Sequence, residues 1–161
     1  MAMSVILLQH TQEPERVVAQ AAKLCYSAAG LKAIVEKLTP EKTTGFINKL
    51  TEMGHLSAFE HASFTFGIEG VSRALTHQLV RHRLASYSQQ SQRYVGMSEL
   101  PSGAIVPKKI SGPMREKFRN MLRDIGDFYE EMIQAGVPAE DARYILPNAS
   151  PTKIVVTMNA R

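Results

Sequence analysis

Apolar residues recur along this chain with two periods, and the switches between them mark its elements. The short unbroken run Val5-Ile6-Leu7-Leu8 predicts a buried strand. Glu13-Pro14-Glu15 then opens a helix, with proline in the first turn and acids at the positive end of the dipole. Val17, Val18, Ala21, Ala22 and Cys25 follow at helical spacing, which predicts Cys25 buried on that stripe and inert. Thr39-Pro40-Glu41 opens a second helix whose stripe is Phe46, Ile47, Leu50 and Met53, stopped by Gly54. Phe64, Phe66 and Ile68 alternate with Ser63, Thr65, Gly67 and Glu69, the two-residue period of a half-buried strand. Val71, Leu75, Leu79 and His82 return to helical spacing, so the chain passes directly from strand to helix.

Pro101 to Pro113 reads as a connection punctuated by Pro, Gly and Ser. Ser111-Gly112-Pro113 introduces the longest helix, striped by Met114, Phe118, Met121, Leu122, Ile125, Phe128, Tyr129, Met132 and Ile133 and ended by Gly136 and Pro138. Ala139 to Tyr144 predicts a further turn or two of helix, and Ile154, Val156 and Met158 alternate as a last strand. Helices mixed with a few non-consecutive strands, without repeats or low-complexity tracts, predict an α+β single domain. It would hold a small mixed sheet flanked by helices, one of them long and amphipathic.

Composition narrows this picture only modestly. At 161 residues, 44% hydrophobic and 21% charged, the chain has the profile of a globular protein large enough to bury a core. The single cysteine excludes an internal disulfide and fits a reducing compartment. No apolar run approaches the roughly 20 residues that span a bilayer, and Met1-Ala2-Met3-Ser4 lacks a secretory signal's basic start, so the expectation is a cytoplasmic protein without membrane contact. The net charge of +4 favours anionic partners.

That charge is unevenly spread. Between Gly70 and Ser98 there is no carboxylate and no lysine, yet Arg73, Arg81, Arg83 and Arg93 lie there with His77 and His82. Forked guanidinium donors suit a phosphate dianion, and the interleaved Ser and Gln side chains suit a flat polar ring. The plainer alternative is a solvated basic loop, but a merely soluble surface would mix in lysine. On the predicted helix Gln78 and Arg81 lie three apart and can face one ligand. Ser91 and Arg93, two apart, would share a face if the backbone there is extended. His55 and His61 match no common zinc spacing, so no metal is expected; one of them is expected to touch a ligand. No phosphate-binding P-loop, dinucleotide fingerprint or serine elbow occurs.

Taken together, these residues match a family. Arg81-His82-Arg83, then seven residues, then Ser91 and Arg93, resembles the signature of the flavin-dependent thymidylate synthases (ThyX). Gly54-His55-Leu56-Ser57-Ala58-Phe59-Glu60-His61 followed by Phe64-Thr65-Phe66 is similar to the segment before that signature. Gly136-Val137-Pro138 with Ala142-Arg143-Tyr144-Ile145-Leu146-Pro147 is similar to the family's downstream arginine segment, and Asn159-Ala160-Arg161 to its next cofactor motif.

The resemblance implies a ThyX-like fold over residues 1–161. It implies a homotetrameric methyltransferase that makes dTMP from dUMP with FAD as cofactor, methylenetetrahydrofolate as carbon donor and NADPH as reductant, without an enzyme thiol. FAD would be held by Ser57, Glu60, Arg81, His82, Arg83, Leu84, Gln89, Asn159 and Arg161. The substrate dUMP would be held by Gln78, Arg81, Gln89, Gln90, Ser91, Gln92, Arg93 and Arg143, some of them from a neighbouring subunit. Two departures stand out. Many members carry Glu where this chain has Gln89, and the family continues past Asn-Ala-Arg to a second flavin Asn and an Arg that favours ionisation of the uracil ring. The catalytic arginine is therefore expected beyond Arg161, in a C-terminal segment that this domain lacks. Two alternatives remain: a module that grips RNA or another polyanion through the Arg-rich segment, and an inactive fragment that binds flavin and nucleotide. Nucleic acid is disfavoured, because only Tyr87 and Tyr94 accompany the arginines.

Overall fold

The ends of the helices are where local sequence acts most directly. In the computed structural model Thr39 caps helix α3 (Pro40–Glu52), its Oγ1 accepting from the Lys42 amide at 3.4 Å. Helix α1 (Pro14–Cys25) likewise begins on its proline. The structure describes residues 2–97 and 100–161. Met1, and Ser98 at the close of the acid-free stretch, lie outside the described residues.

The observed class is α+β. Four strands, β1 (Ser4–His10), β2 (Ser63–Ser72), β3 (Ala85–Gln89) and β4 (Pro151–Asn159), form one sheet in the order β1-β2-β4-β3. Thr11 donates to Ser63, Ala160 to Ala62, Arg73 to Ser150 and Gln90 to Lys153 through main-chain hydrogen bonds of 2.9–3.0 Å. Across β2 and β4 the paired residue numbers run in opposite directions, and the four-stranded sheet is antiparallel, not the mixed one expected.

The chain divides into two compact units. One comprises Leu7–Phe66, Leu84–Ser86 and Val156–Arg161. Its core packs Val18 and Ala22 of α1 against Leu50 of α3 and against Ala58 and Ala62, with Phe46, Ile47, Phe59 and Phe64 around them. A second cluster joins Ala19 to Ile34 and Leu38 through helix α2 (Leu31–Lys37), which is too short to have announced itself by periodicity.

The other unit comprises Met1–Ile6, Gly67–Arg83 and Tyr87–Val155. It contains helix α4 (Arg73–Leu79), the short α5 (Leu100–Gly103), the long α6 (Gly112–Gln134) and α7 (Ala139–Ala142). Its core joins Met97, Tyr129 and Ala142, with Met132, Ile133, Val137, Ile145 and Leu146 packed on them. The broad stripe read along α6 splits: Leu122, Gly126 and Tyr129 are buried, whereas Met114, Met121 and Phe128 face outward.

Two expectations need correction. Val5, Ile6, Leu7 and Leu8 form β1 but are exposed, not buried. A run of apolar residues signals burial, but β1 is an outer strand of the sheet, and among the described residues no layer covers it. Val71, read as helical, is the buried penultimate residue of β2; Ser72 then caps α4, its Oγ accepting from the Leu75 amide at 3.2 Å.

Two glycines should respond oppositely to alanine. Gly70 has φ +68°, and a Cβ there would lie 2.4 Å from the Ala2 carbonyl oxygen. Gly70→Ala should therefore cost about 1–3 kcal/mol or more. Gly45, inside α3 with nothing within 4 Å of its would-be Cβ, should gain about 0.5–1 kcal/mol on Gly45→Ala. Urea unfolding of the two variants measures both signs.

Candidate functional site

The Arg-rich segment is built from its backbone outward. The α4 helix runs only to Leu79, after which the Arg81 and His82 amides donate to Gln78 and Leu79 at 3.1 Å in a tight turn. Arg81 is thus past the helix, not three along it from Gln78 as the periodicity suggests. Leu84, just after this turn, is 86% exposed. The Tyr87 hydroxyl, 2.9 Å from the Leu79 carbonyl and 2.8 Å from that of His82, pins the turn. Arg81, His82 and Arg83 consequently project outward, and among the described residues their side chains have no hydrogen-bond or ion-pair partner.

Beyond β3 the chain turns instead of staying extended. The Arg93 amide donates to Ser91 Oγ at 3.2 Å and the Val95 amide to the Ser91 carbonyl at 3.1 Å, so Ser91 and Arg93 are related by a side-chain-capped turn. Arg93 lies over the exposed Tyr94 ring, 5.4 Å from its centroid. Gln90 and Gln92 are partly exposed, and Gln78 is exposed. Gln89 is held by hydroxyls: its Nε2 donates to Thr76 at 2.7 Å and to Thr152 at 3.2 Å.

In the same unit Arg143 opens a single turn of 3₁₀ helix (Arg143–Ile145), its Nε donating to the Glu140 carbonyl at 3.1 Å. Arg73, at the start of α4, lies close enough to feel it. Burial, and after it the positive charge of Arg143, lower the Arg73 pKa from its ordinary value. Two guanidiniums that repel one another, without a carboxylate paired to either among the described residues, make a place for an anion. Arg73 was missing from the sequence-derived site; the signal that could have found it is the acid-free stretch it begins.

The other unit gathers a second set. The Ala160 amide donates to Ala62 at 2.9 Å, tying the end of β4 to the exit of a 3₁₀ helix, Leu56–His61. That tie brings Arg161 Nη1 to Glu60 Oε1 at 2.5 Å, while Asn159 Oδ1 accepts from the Arg161 amide at 3.1 Å. Ser57 and Glu60 line a groove of about 290 Å³ with Cys25, Tyr26, His55 and His61. In it the Tyr26 hydroxyl and His55 Nδ1 are 2.8 Å apart with their rings nearly parallel. Cys25 is exposed, contrary to the stripe reading, because it is the last residue of α1 and opens onto this groove. Tyr26 is a second lining residue that periodicity did not single out. No group of three or more His, Cys, Asp or Glu among the described residues could hold a metal ion, and no described helix is long and apolar enough to cross a membrane.

Comparison with known proteins adds a common theme. The family model for "Thymidylate synthase complementing protein" (Thy1) matches residues 6–161. A flavin-dependent thymidylate synthase of Geobacter sulfurreducens is 53% identical over 161 residues, which cover 99% of this chain and 69% of that protein. One from Clostridium tetani is 46% identical over 179 residues, 100% of this chain and 71% of its own. A third, from Nitratidesulfovibrio vulgaris, is 44% identical over 172 residues, 98% and 69% of the two chains. Among solved structures, the UMP/dUMP methylase PolB of Streptomyces cacaoi bound with 5-Br dUMP superposes with a TM-score of 0.79, covering 99% of this chain and 73% of that one. At 22% identity that likeness speaks for the fold alone.

The Glu60–Arg161 pair is half exposed, with side-chain exposures of 45% and 52%. Solvent screening makes such a pair worth less than about 1 kcal/mol, so Glu60→Gln should leave the unfolding midpoint in urea nearly unchanged. A large loss of stability would mean that the pair is structural.

Proposed function

This chain belongs to the Thy1 family of flavin-dependent thymidylate synthases, enzymes of methyltransferase type, and from that premise we propose that it methylates dUMP to dTMP. In this reading FAD is the cofactor, methylenetetrahydrofolate donates the carbon and NADPH is the reductant. The observation that carries it is the set of guanidiniums in one segment that have no acid partner among the described residues, with Arg143 of the same unit near enough for its charge to lower the Arg73 pKa.

The donor sets suit the two ligands. A flavin dinucleotide offers a pyrophosphate, for which Arg81, His82 and Arg83 have exposed cationic donors without a partner among the described residues, with Leu84 as an exposed apolar contact. Its ring and sugar offer donors and acceptors that Ser57, Glu60, Asn159 and Arg161 can answer. When bound, the flavin would supply the reducing equivalents that turn a transferred one-carbon unit into a methyl group.

The chain's own residues bind and orient. Arg143 and Arg93 would take the nucleotide phosphate, with Arg81 shared between the ligands. Gln78, Gln89, Gln90, Ser91 and Gln92 would read base and sugar, some of them across subunits of a homotetramer. Fixed positive charge around the pyrimidine would stabilise negative charge developing on the ring, which is electrostatic catalysis without a protein nucleophile. Cys25, although exposed, has no part in this scheme. The polyanion alternative draws less support, since the Tyr87 hydroxyl is tied to the Leu79 and His82 carbonyls and only Tyr94 of the segment's tyrosines is open for stacking.

Tritium release from 5-tritiated dUMP by the full-length protein, supplied with methylenetetrahydrofolate, NADPH and FAD, tests the activity. Absence of flavin-dependent release overturns it. Arg143→Ala should weaken dUMP binding by about 2–5 kcal/mol, because the phosphate loses a charged partner in a desolvated setting. Cys25→Ala should change neither binding nor turnover. Calorimetric titration of both variants with dUMP separates the roles.

A further inference from the structure

The Gln89 side chain joins two elements, bonding one hydroxyl of α4 and one of β4. Its amide nitrogen has two protons, and both are spent: one on Thr76 Oγ1 at 2.7 Å, the other on Thr152 Oγ1 at 3.2 Å. Both hydroxyls are buried, Thr76 completely and Thr152 to 4% exposure. Thr76 has a single hydroxyl proton, and it is directed to the Arg73 carbonyl at 3.1 Å. Toward residue 89 the Thr76 oxygen can therefore only accept. The Gln89 carboxamide oxygen has no partner among the described residues, and it is not one of the buried unpaired atoms. It is the half of the amide left open to a ligand.

A carboxylate in the same place has no proton to give near neutral pH. It would set an acceptor against the acceptor oxygen of the fully buried Thr76, and one of the two would lose its bond. The residue that the family resemblance flagged as a departure thus has a local cause in α4 and β4.

We propose that Gln89 is a positioning and specificity residue whose polarity is fixed by Thr76 and Thr152, so that it offers the substrate an acceptor oxygen alone. This rests on the dUMP reading for its ligand. The nucleotide must then present a hydrogen-bond donor at that point, and dUMP has two: the ring N3–H and the 3′-hydroxyl. A cytosine ring has no proton at N3 and would meet the Gln89 oxygen acceptor to acceptor, so a site that reads N3–H excludes dCMP.

The test uses the full-length protein in five forms: wild type, Gln89→Glu, Thr76→Ala, the double variant and Gln89→Leu. Gln89→Glu should lower the melting temperature. The double variant should melt higher than Gln89→Glu, because removing the Thr76 hydroxyl removes the opposed acceptor. Additive or worse behaviour of the double variant overturns the fixed polarity, as does a Gln89→Glu protein with unchanged melting and unchanged dUMP affinity. This arm needs no ligand, so if the wild type binds no dUMP while the melting pattern holds, the substrate reading fails and the fixed amide stands. In calorimetry, Gln89→Glu should bind dUMP at least about tenfold more weakly. Wild type should prefer dUMP over dCMP or over 2′,3′-dideoxyuridine monophosphate, and Gln89→Leu should lose one of those preferences, which identifies the donor. Retention of both preferences in Gln89→Leu overturns the specificity role.

Discussion

The antiparallel pairing of β2 with β4 is the constraint from which the candidate site derives in each unit. In one unit it is marked by the Thr65–Thr157 hydroxyl bond of 2.9 Å and by the Ala160–Ala62 bond, which delivers Arg161 to Glu60. In the other it is marked by the amides of Arg73 and Ala74, which donate to Ser150 and Asn148. These bonds occupy first-turn donors of α4 that the helix cannot satisfy itself, and so fix where α4 starts. A slip of one residue would turn every side chain of the strand to its other face and undo both arrangements together.

Sequence legibility followed the range of the forces involved. α1, α3 and α6 were legible because a cap or an N-terminal proline and a stripe at helical spacing are local, and β4 because Ile154 and Val156 alternate and are buried as that period requires. β3 was not legible: Ala-Ser-Tyr-Ser-Gln has no apolar alternation and is extended because β4 pairs with it. The exposure of Val5 to Leu8 and of Cys25 depends on what lies next to them in space, which periodicity does not encode. Within the site, the identity of the exposed cations Arg81, His82 and Arg83 was readable from the absence of acids. The turn geometry at Gln78–Arg81 and Ser91–Arg93, the Tyr26–His55 pair and the partnership of Arg73 with Arg143 were not, because each depends on a tertiary contact or on where an element stops.

Charge is used in two distinct ways. Glu13–Arg16, Glu69–Lys153 and Glu60–Arg161 are exposed or half-exposed pairs of the kind that adds little to stability. Among the described residues the arginines of the acid-free stretch have no acid partner, and in Arg73 that costs the charged form something, since burial and a like charge both disfavour it. Unpaired positive charge retained against that cost is stored binding capacity for an anion.

β1 has a consequence of another kind. From Ser4 to His10 it offers an outer strand with apolar side chains on both faces and no lysine, proline or acid to discourage pairing. Such an edge is adhesive toward any extended backbone, whichever chain supplies it. Dispersal of this protein is thus a question of kinetics and concentration: whatever covers β1 must reach it sooner than another unprotected β1 does.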